Sequence, residues 1–369
     1  MTTSNDFDFA LAGASDEADI RRLVGGTPMP GAVTIRFERE PDYFLGCPIM
    51  GDPCDVLIVR HLPDGELAGV MCRSERRAFV NGRETRIGAI GQIRVAERYR
   101  GRWLLQRGWR VLGGLGPPGL LYVGVVARDN PRARGVLVER RTPGAPGVRR
   151  LAGMTTLALV LRRHRRSATR GCTIEPGSPA SIEEIVAFLR ATGARRQLFP
   201  AYRVEDFLDG RTMRGLALDD VSVARRDGAI VGVMAMWDQS AYKQDVVHAY
   251  GPTLRRLRPV YDVAARLIGG QPLPAPGEAI RAAFAALVCV EGDDPRVLRA
   301  LLDATAERAR VRGHAFLTIG LTDEDPLLAA ARRSLHITYR SDLFVLSWNA
   351  GDPATGLDGR IPHVEIATL

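Results

Sequence analysis

Apolar and polar positions fall into short blocks along this chain, and the blocks come in nearly the same order twice. Phe7–Leu11 predicts a first strand, and Ser15-Asp16-Glu17 opens a helical run to Val24, acidic residues being favoured in a first turn. Apolar runs at 55–60 and 66–72 flank Pro63-Asp64-Gly65, the pattern of a hairpin. A long strand is expected over 86–95. A helix over 103–112 follows, which Gly113-Gly114 and Pro117-Pro118-Gly119 should end. Residues 120–126 predict a buried strand, 131–140 a short helix and 151–161 another strand.

The second half repeats this order. A helix over 181–192 begins at Ser181 with Glu184 three residues on, the spacing of a capping box. Strands at 220–225 and 229–237 flank Asp227-Gly228, a second hairpin signal. Residues 243–250 predict a strand, 254–268 a helix and 272–277 a stiff proline-rich loop. The remaining elements are a strand at 283–290, a helix over Pro295–Val311 and strands at 314–320 and 344–348. Each half therefore reads helix, hairpin, strand–helix–strand, helix, strand. That alternation predicts an α/β fold with two tandem domains, each a mixed, mostly antiparallel sheet flanked by helices. The expected division is 1–161 and 172–350, with 162–171 a basic linker and 351–369 a C-terminal tail.

Composition narrows the class. With 46% hydrophobic and 25% charged residues the chain is globular. No stretch approaches the apolar length of a membrane span, and the polar, acidic start does not read as a signal peptide, so a cytoplasmic home is expected. Five cysteines without a C-x-x-C pair or clustered histidines predict reduced, mostly buried thiols and no metal site. The net charge of +9 suits anionic partners such as phosphorylated cofactors, acidic carrier proteins or RNA. Lys243 is the only lysine among 51 basic residues, which singles it out, because ammonium and guanidinium differ in shape and acidity.

The segment Ile93-Arg94-Val95-Ala96-Glu97-Arg98-Tyr99-Arg100-Gly101-Arg102-Trp103 resembles the strand-to-helix signature of GCN5-related N-acetyltransferases. In that family a strand ends in valine and an R-G-x-G-x-G/A loop opens a helix. Loop amides and the helix N-terminus then surround the pyrophosphate of coenzyme A, with arginines adding charge-assisted contacts. The resemblance implies acyl-CoA, or an acyl-carrier protein, as co-substrate and no metal. It assigns cofactor binding to Val95, Arg98, Arg100, Gly101, Arg102, Trp103 and Asn130, the last opening the helix after the strand at 120–126. The sequence departs from the pattern where Trp103 and Leu105 replace the later glycines. Leu137 stands where many members carry a tyrosine that protonates the leaving thiolate. In the second half Val290-Glu291-Gly292-Asp293-Asp294-Pro295 takes the loop's place, and its carboxylates repel phosphates.

A second polar group lies at Trp237-Asp238-Gln239-Ser240-Ala241-Tyr242-Lys243-Gln244, followed by His248 and Tyr250. Asp238, Lys243, His248 and Tyr250 are candidate catalytic residues, able to bind a carboxylate or move protons if one sheet end gathers them. Three readings stay open. One is an N-acyltransferase acting on a small-molecule amine. The second is a transferase that takes aminoacyl groups from tRNA, for which RNA binding with a steep salt dependence is expected. The third is a binding or scaffold protein that keeps the fold without the chemistry.

Overall fold

The computed structural model describes residues 6–31, 33–135, 137, 143–162, 171–267 and 269–369. Residues 163–170 of the expected linker, 136 and 138–140 of the expected helix at 131–140 and Ile268 lie outside the described residues. The N-terminal half runs β1 (Phe7–Leu11), α1 (Glu17–Gly25), β2 (Val33–Glu38), α2 (Cys47–Met50), β3 (Cys54–His61), β4 (Leu67–Val80) and β5 (Arg83–Val95). It continues through α3 (Leu104–Leu115), β6 (Tyr122–Ala127), α4 (Pro131–Arg134) and β7 (Gly147–Val160). The C-terminal half opens with β8 (Thr173–Pro176), α5 (Ile182–Gly193), α6 (Val204–Leu208), β9 (Val221–Arg226), β10 (Ala229–Trp237), β11 (Gln244–Tyr250) and α7 (Pro252–Leu267). It ends with β12 (Ala282–Val290), α8 (Pro295–Val311), β13 (Phe316–Thr322), α9 (Leu328–Ala331) and β14 (His336–Ser347).

Local chemistry explains the elements that the sequence foretold. Helix α8 starts at Pro295, where a missing N–H costs nothing, and the Asp294 carboxylate accepts the Arg296 amide. Its buried residues Val297, Leu298, Leu301, Leu302, Thr305 and Ala309 recur at three- and four-residue spacing, so one face meets the sheet. Asp227 and Gly228 both take positive φ, as a two-residue hairpin between β9 and β10 requires.

Other expectations need correcting. Helix α3 continues through Gly113 and Gly114 and stops only at Gly116, so the glycine pair lies in its last turn and not in a loop. Ser181 makes no cap hydrogen bond to α5; its hydroxyl bonds Ser178, while Glu184 pairs with Arg225, so no capping box forms.

One twelve-stranded sheet carries both halves in the order β1-β3-β4-β5-β6-β14-β7-β13-β12-β10-β9-β8. Neither half closes its sheet with its own last strand. β14 inserts between β6 and β7, and β7 in turn lies against β13, all antiparallel. The two halves are sewn together through this exchange, and a shared core of Ile87, Val123, Met154, Leu343 and Val345 fills the seam. β11 leaves the main sheet and pairs instead with β2 of the other half, from Gln244↔Glu38 to Tyr250↔Val33. That pairing swings the turn at 238–243 over the N-terminal half and positions the site described next.

Candidate functional site

Each half contains a cleft built the same way. β5 and β6 run parallel but pair only at Gly88↔Tyr122 and Ala89↔Val123. Beyond this point β5 stays with β4 and β6 goes to β14, so the two strands part. Gly88 is required there, because a Cβ would collide with the Tyr122 ring. In the C-terminal half β12 and β13 pair in parallel from Ala282↔Phe316 to Phe284↔Thr318 and then part likewise. Each cleft is flanked by a β-bulge. A register shift between Val70 and Cys72 of β4 places Gln92 at φ 53°, and a shift between Val233 and Ala235 of β10 places Leu287 at φ 56°. Left-handed non-glycine residues at matching positions re-aim the backbone out of the regular ladder.

What fills the two clefts differs. In the C-terminal half the Leu287 N–H donates to Glu365 Oε2 at 2.8 Å, and the Tyr202 hydroxyl donates to the same oxygen at 3.2 Å. Burial pushes the Glu365 carboxyl group up, opposed by the Leu287 and Ala367 amides, Tyr202 and Arg76. Around it the tail threads into the cleft: Thr322 donates to the Pro362 carbonyl, and Ile366 packs directly on Gly320. The turn into α8 spans only residues 291–294, and Asp294, held at about 2 chiefly by Arg296, already caps that helix. In the N-terminal half the turn is twice as long, residues 96–103. It ends on Trp103, which is left-handed (φ 60°), 61% exposed, and gives α3 no side-chain cap. The Trp103 side chain thus satisfies none of the first-turn amides of α3. Gly101, at φ 84°, has nothing within 4 Å of where a side chain would begin.

The residues expected to hold a cofactor surround this turn. Val95 ends β5, and its carbonyl accepts from Arg100 Nε at 3.3 Å. Arg100 also pairs with Glu97 at 3.5 Å. Arg98 lies over the Tyr99 ring and pairs with Asp64 at 3.2 Å and with Glu66. Arg102 is exposed beside Gly101. Asn130, past the end of β6, accepts the Ala133 amide at 3.0 Å and caps α4. Arg98 and Arg100 thus rest on neighbouring acidic or carbonyl groups, in ion pairs exposed enough to be exchanged cheaply for a phosphate.

Of the four expected catalytic residues, only Lys243 reaches a cavity. That pocket is small, about 20 Å³, lies between the halves and is lined by Arg39, Tyr43 and Gln92 from one and Gln239, Lys243 and Leu369 from the other. Lys243 Nζ donates to the Leu369 oxygen at 2.7 Å and sits 4.8 Å above the Phe284 ring. Burial, with Arg39 nearby, lowers the Lys243 ammonium to about 8, while Asp245 opposes the shift. Gln239 donates to the Ala367 carbonyl at 2.9 Å, and its Oε1 is buried without a hydrogen-bond partner.

The other three point elsewhere. Asp238 lies 3.4 Å from His314 Nε2 and accepts the Ser240 amide, interactions that hold it at about 2. Tyr250 donates to the Pro274 carbonyl at 2.8 Å, and His248 is exposed on β11. Sequence reasoning missed Gln92, Tyr43, Gln239, Glu365 and Leu369. A β-bulge leaves no mark in a single sequence. The apolar run Val364, Ile366 and Ala367 around Glu365 was a usable sign that the tail is buried.

Among the described residues no group of three or more His, Cys, Asp or Glu side chains is placed to hold a metal ion, and the five cysteines are free. No described helix is long and apolar enough to cross a membrane.

The bulged, splayed sheet with a helix opening beyond it is the fold of the GCN5-related N-acetyltransferases, present here in two interleaved halves. Among solved structures the chain is similar to N-myristoyltransferase of Saccharomyces cerevisiae with bound myristoyl-CoA, at 10% identity and a TM-score of 0.61, covering 99% of this chain and 91% of that one. It is also similar to a GCN5-related N-acetyltransferase from Sphaerobacter thermophilus, at 14% identity and a TM-score of 0.56, covering 100% of both chains. No family model and no curated protein matches the sequence.

Proposed function

We propose that the protein is an N-acyltransferase that takes an acyl group from an acyl-CoA thioester held in the N-terminal cleft and passes it to an amine entering the cavity beside Lys243. One observation carries this reading. In the C-terminal half the bulge presents the Leu287 N–H to a carboxyl oxygen at 2.8 Å, so this backbone device binds an electron-rich oxygen. The matching bulge at Gln92 borders the inter-half cavity instead, and among the described residues no side-chain acceptor occupies its N–H. A thioester carbonyl placed there gains a preorganised donor as negative charge develops on its oxygen.

Further features support this reading. The start of α3, which the Trp103 side chain does not cap, the open Gly101 and the surrounding Arg98, Arg100 and Arg102 suit the pyrophosphate of coenzyme A. One of the structures to which the chain is similar, N-myristoyltransferase of Saccharomyces cerevisiae, holds bound myristoyl-CoA. An acylated carrier protein would present the same thioester on the same pantetheine arm. At the acceptor, Lys243 with a value of about 8 keeps an appreciable neutral fraction near neutral pH and takes the proton that the substrate ammonium must lose. The free amine then forms its bond to the carbonyl carbon, the C–S bond breaks, and the nitrogen's surplus proton goes to the departing thiolate, which leaves as coenzyme A.

A thermal-shift series with acetyl-CoA, longer acyl-CoA esters, free coenzyme A and tRNA tests the donor. An acyl-CoA at a hundredfold excess over its Kd should stabilise the chain by about 2.7 kcal/mol. If no thioester shifts the transition while tRNA does so in a salt-sensitive manner, the acyl-CoA reading fails.

A further inference from the structure

Helix α7 presents a surface that the acyl-transfer reading does not use. It is 16 residues long, and only one face is covered: Leu254 and Tyr261 pack on a cluster containing Val247, Tyr250 and Phe316, and Ala265 is its single buried residue. Facing outward are Leu257 (55% exposed), Val260 (68%), Val263 (57%) and Leu267 (83%), three or four positions apart and hence in one stripe. Arg255, Arg256 and Arg266 are exposed around it, and none of the three forms an ion pair with another described residue. The helix's one acidic residue, Asp262, is turned inward, accepting the Leu273 amide at 2.8 Å and facing Arg258 at 3.6 Å.

We infer that α7 is an interfacial helix that docks the protein on a bilayer surface carrying anionic lipids. Four large aliphatic side chains left in water along one helix are costly for a monomer and mark a contact surface. The stripe is a ridge on a single helix, which a deformable acyl-chain boundary accepts without a preformed groove. The unpaired arginines reach sideways to headgroup phosphates, and the exposed face carries no carboxylate to repel them. An acidic protein would satisfy the arginines but would have to supply a complementary apolar groove, so the membrane is the occupant that the ridge and the charges favour together.

Flotation of the full chain with vesicles of phosphatidylcholine, with and without phosphatidylglycerol, tests this. The wild type should float with the anionic vesicles and be released by salt. Val260→Glu/Val263→Glu should weaken binding by about tenfold or more, and Arg255→Glu/Arg266→Glu should remove the preference for anionic lipid. Both pairs are solvent-exposed, so an unchanged melting temperature verifies that the fold is intact. The inference is overturned if the wild type stays with the soluble fraction in both vesicle types, or if Val260→Glu/Val263→Glu floats as well as wild type. It is equally overturned if the chain self-associates in light scattering and that double variant abolishes the association without any vesicle binding.

Discussion

The two halves share a bulge, a splayed pair of strands and a helix beyond, yet one cleft is plugged by the tail and the other is entered by a longer, basic turn. In the C-terminal half the tail occupies the splay, Glu365 takes the Leu287 amide, and a short acidic turn caps α8. In the N-terminal half the turn is longer, carries Arg98, Arg100 and Arg102, and ends on Trp103, whose side chain does not cap α3. The difference teaches that one backbone device serves two ends. In one half it anchors a structural segment, and that segment runs on to deliver Ala367 and Leu369 to the cavity bordered by the other half's bulge. The tail that plugs one cleft thus builds part of the pocket beside the other.

Breaking the plug should have the largest effect. Glu365→Ala strands the buried Leu287 amide and the Tyr202 hydroxyl, and should cost about 3 kcal/mol of stability by denaturant unfolding. It should also abolish turnover, because the tail no longer holds Leu369 against Lys243. Next comes the cavity itself. Lys243→Ala should lower turnover by about a hundredfold while leaving acyl-CoA affinity intact, and Lys243→Arg should not rescue it.

Lys243 also sets a pH dependence. Its folded value of about 8 lies below the ordinary 10.5, so the folded state sheds this proton first. Stability should therefore rise as pH climbs from about 8 toward 10.5, and Lys243→Met should flatten that rise in thermal melts. The smallest effect is expected at the open turn. Gly101→Val forces a branched residue to φ 84° with no packing clash, costing about 1 kcal/mol. If the pyrophosphate lies there, KM for acyl-CoA rises with little change in kcat.

Much of this fold was legible because its signals are local. Pro295 after Asp294, with apolar residues at helical spacing, marked α8 to the residue, and Asp227-Gly228 marked its hairpin. Arg100-Gly101 after Val95 drew attention to the turn that is proposed to hold the cofactor. What stayed hidden depends on distant chain. Nothing near 336–347 says that β14 enters between β6 and β7, and nothing near 243–250 says that β11 pairs with β2. Lys243 stood out only because lysine is otherwise absent. Asp238 and Tyr250, twelve residues apart and chemically plausible, turned to His314 and Pro274 because the first lies in the turn after β10 and the second at the far end of β11. Gly113-Gly114 misled in the other direction: Gly113 lies against Trp348, a packing contact that keeps glycine inside a helix.

Hydrogen–deuterium exchange with and without an acyl-CoA tests the asymmetry of the two clefts most directly. The account predicts slowed exchange at amides 92–105, spanning the Gln92 bulge, the turn and the start of α3, and no change at 287–296. Protection of the Leu287 segment instead, or of neither segment at saturating acyl-CoA, would contradict it.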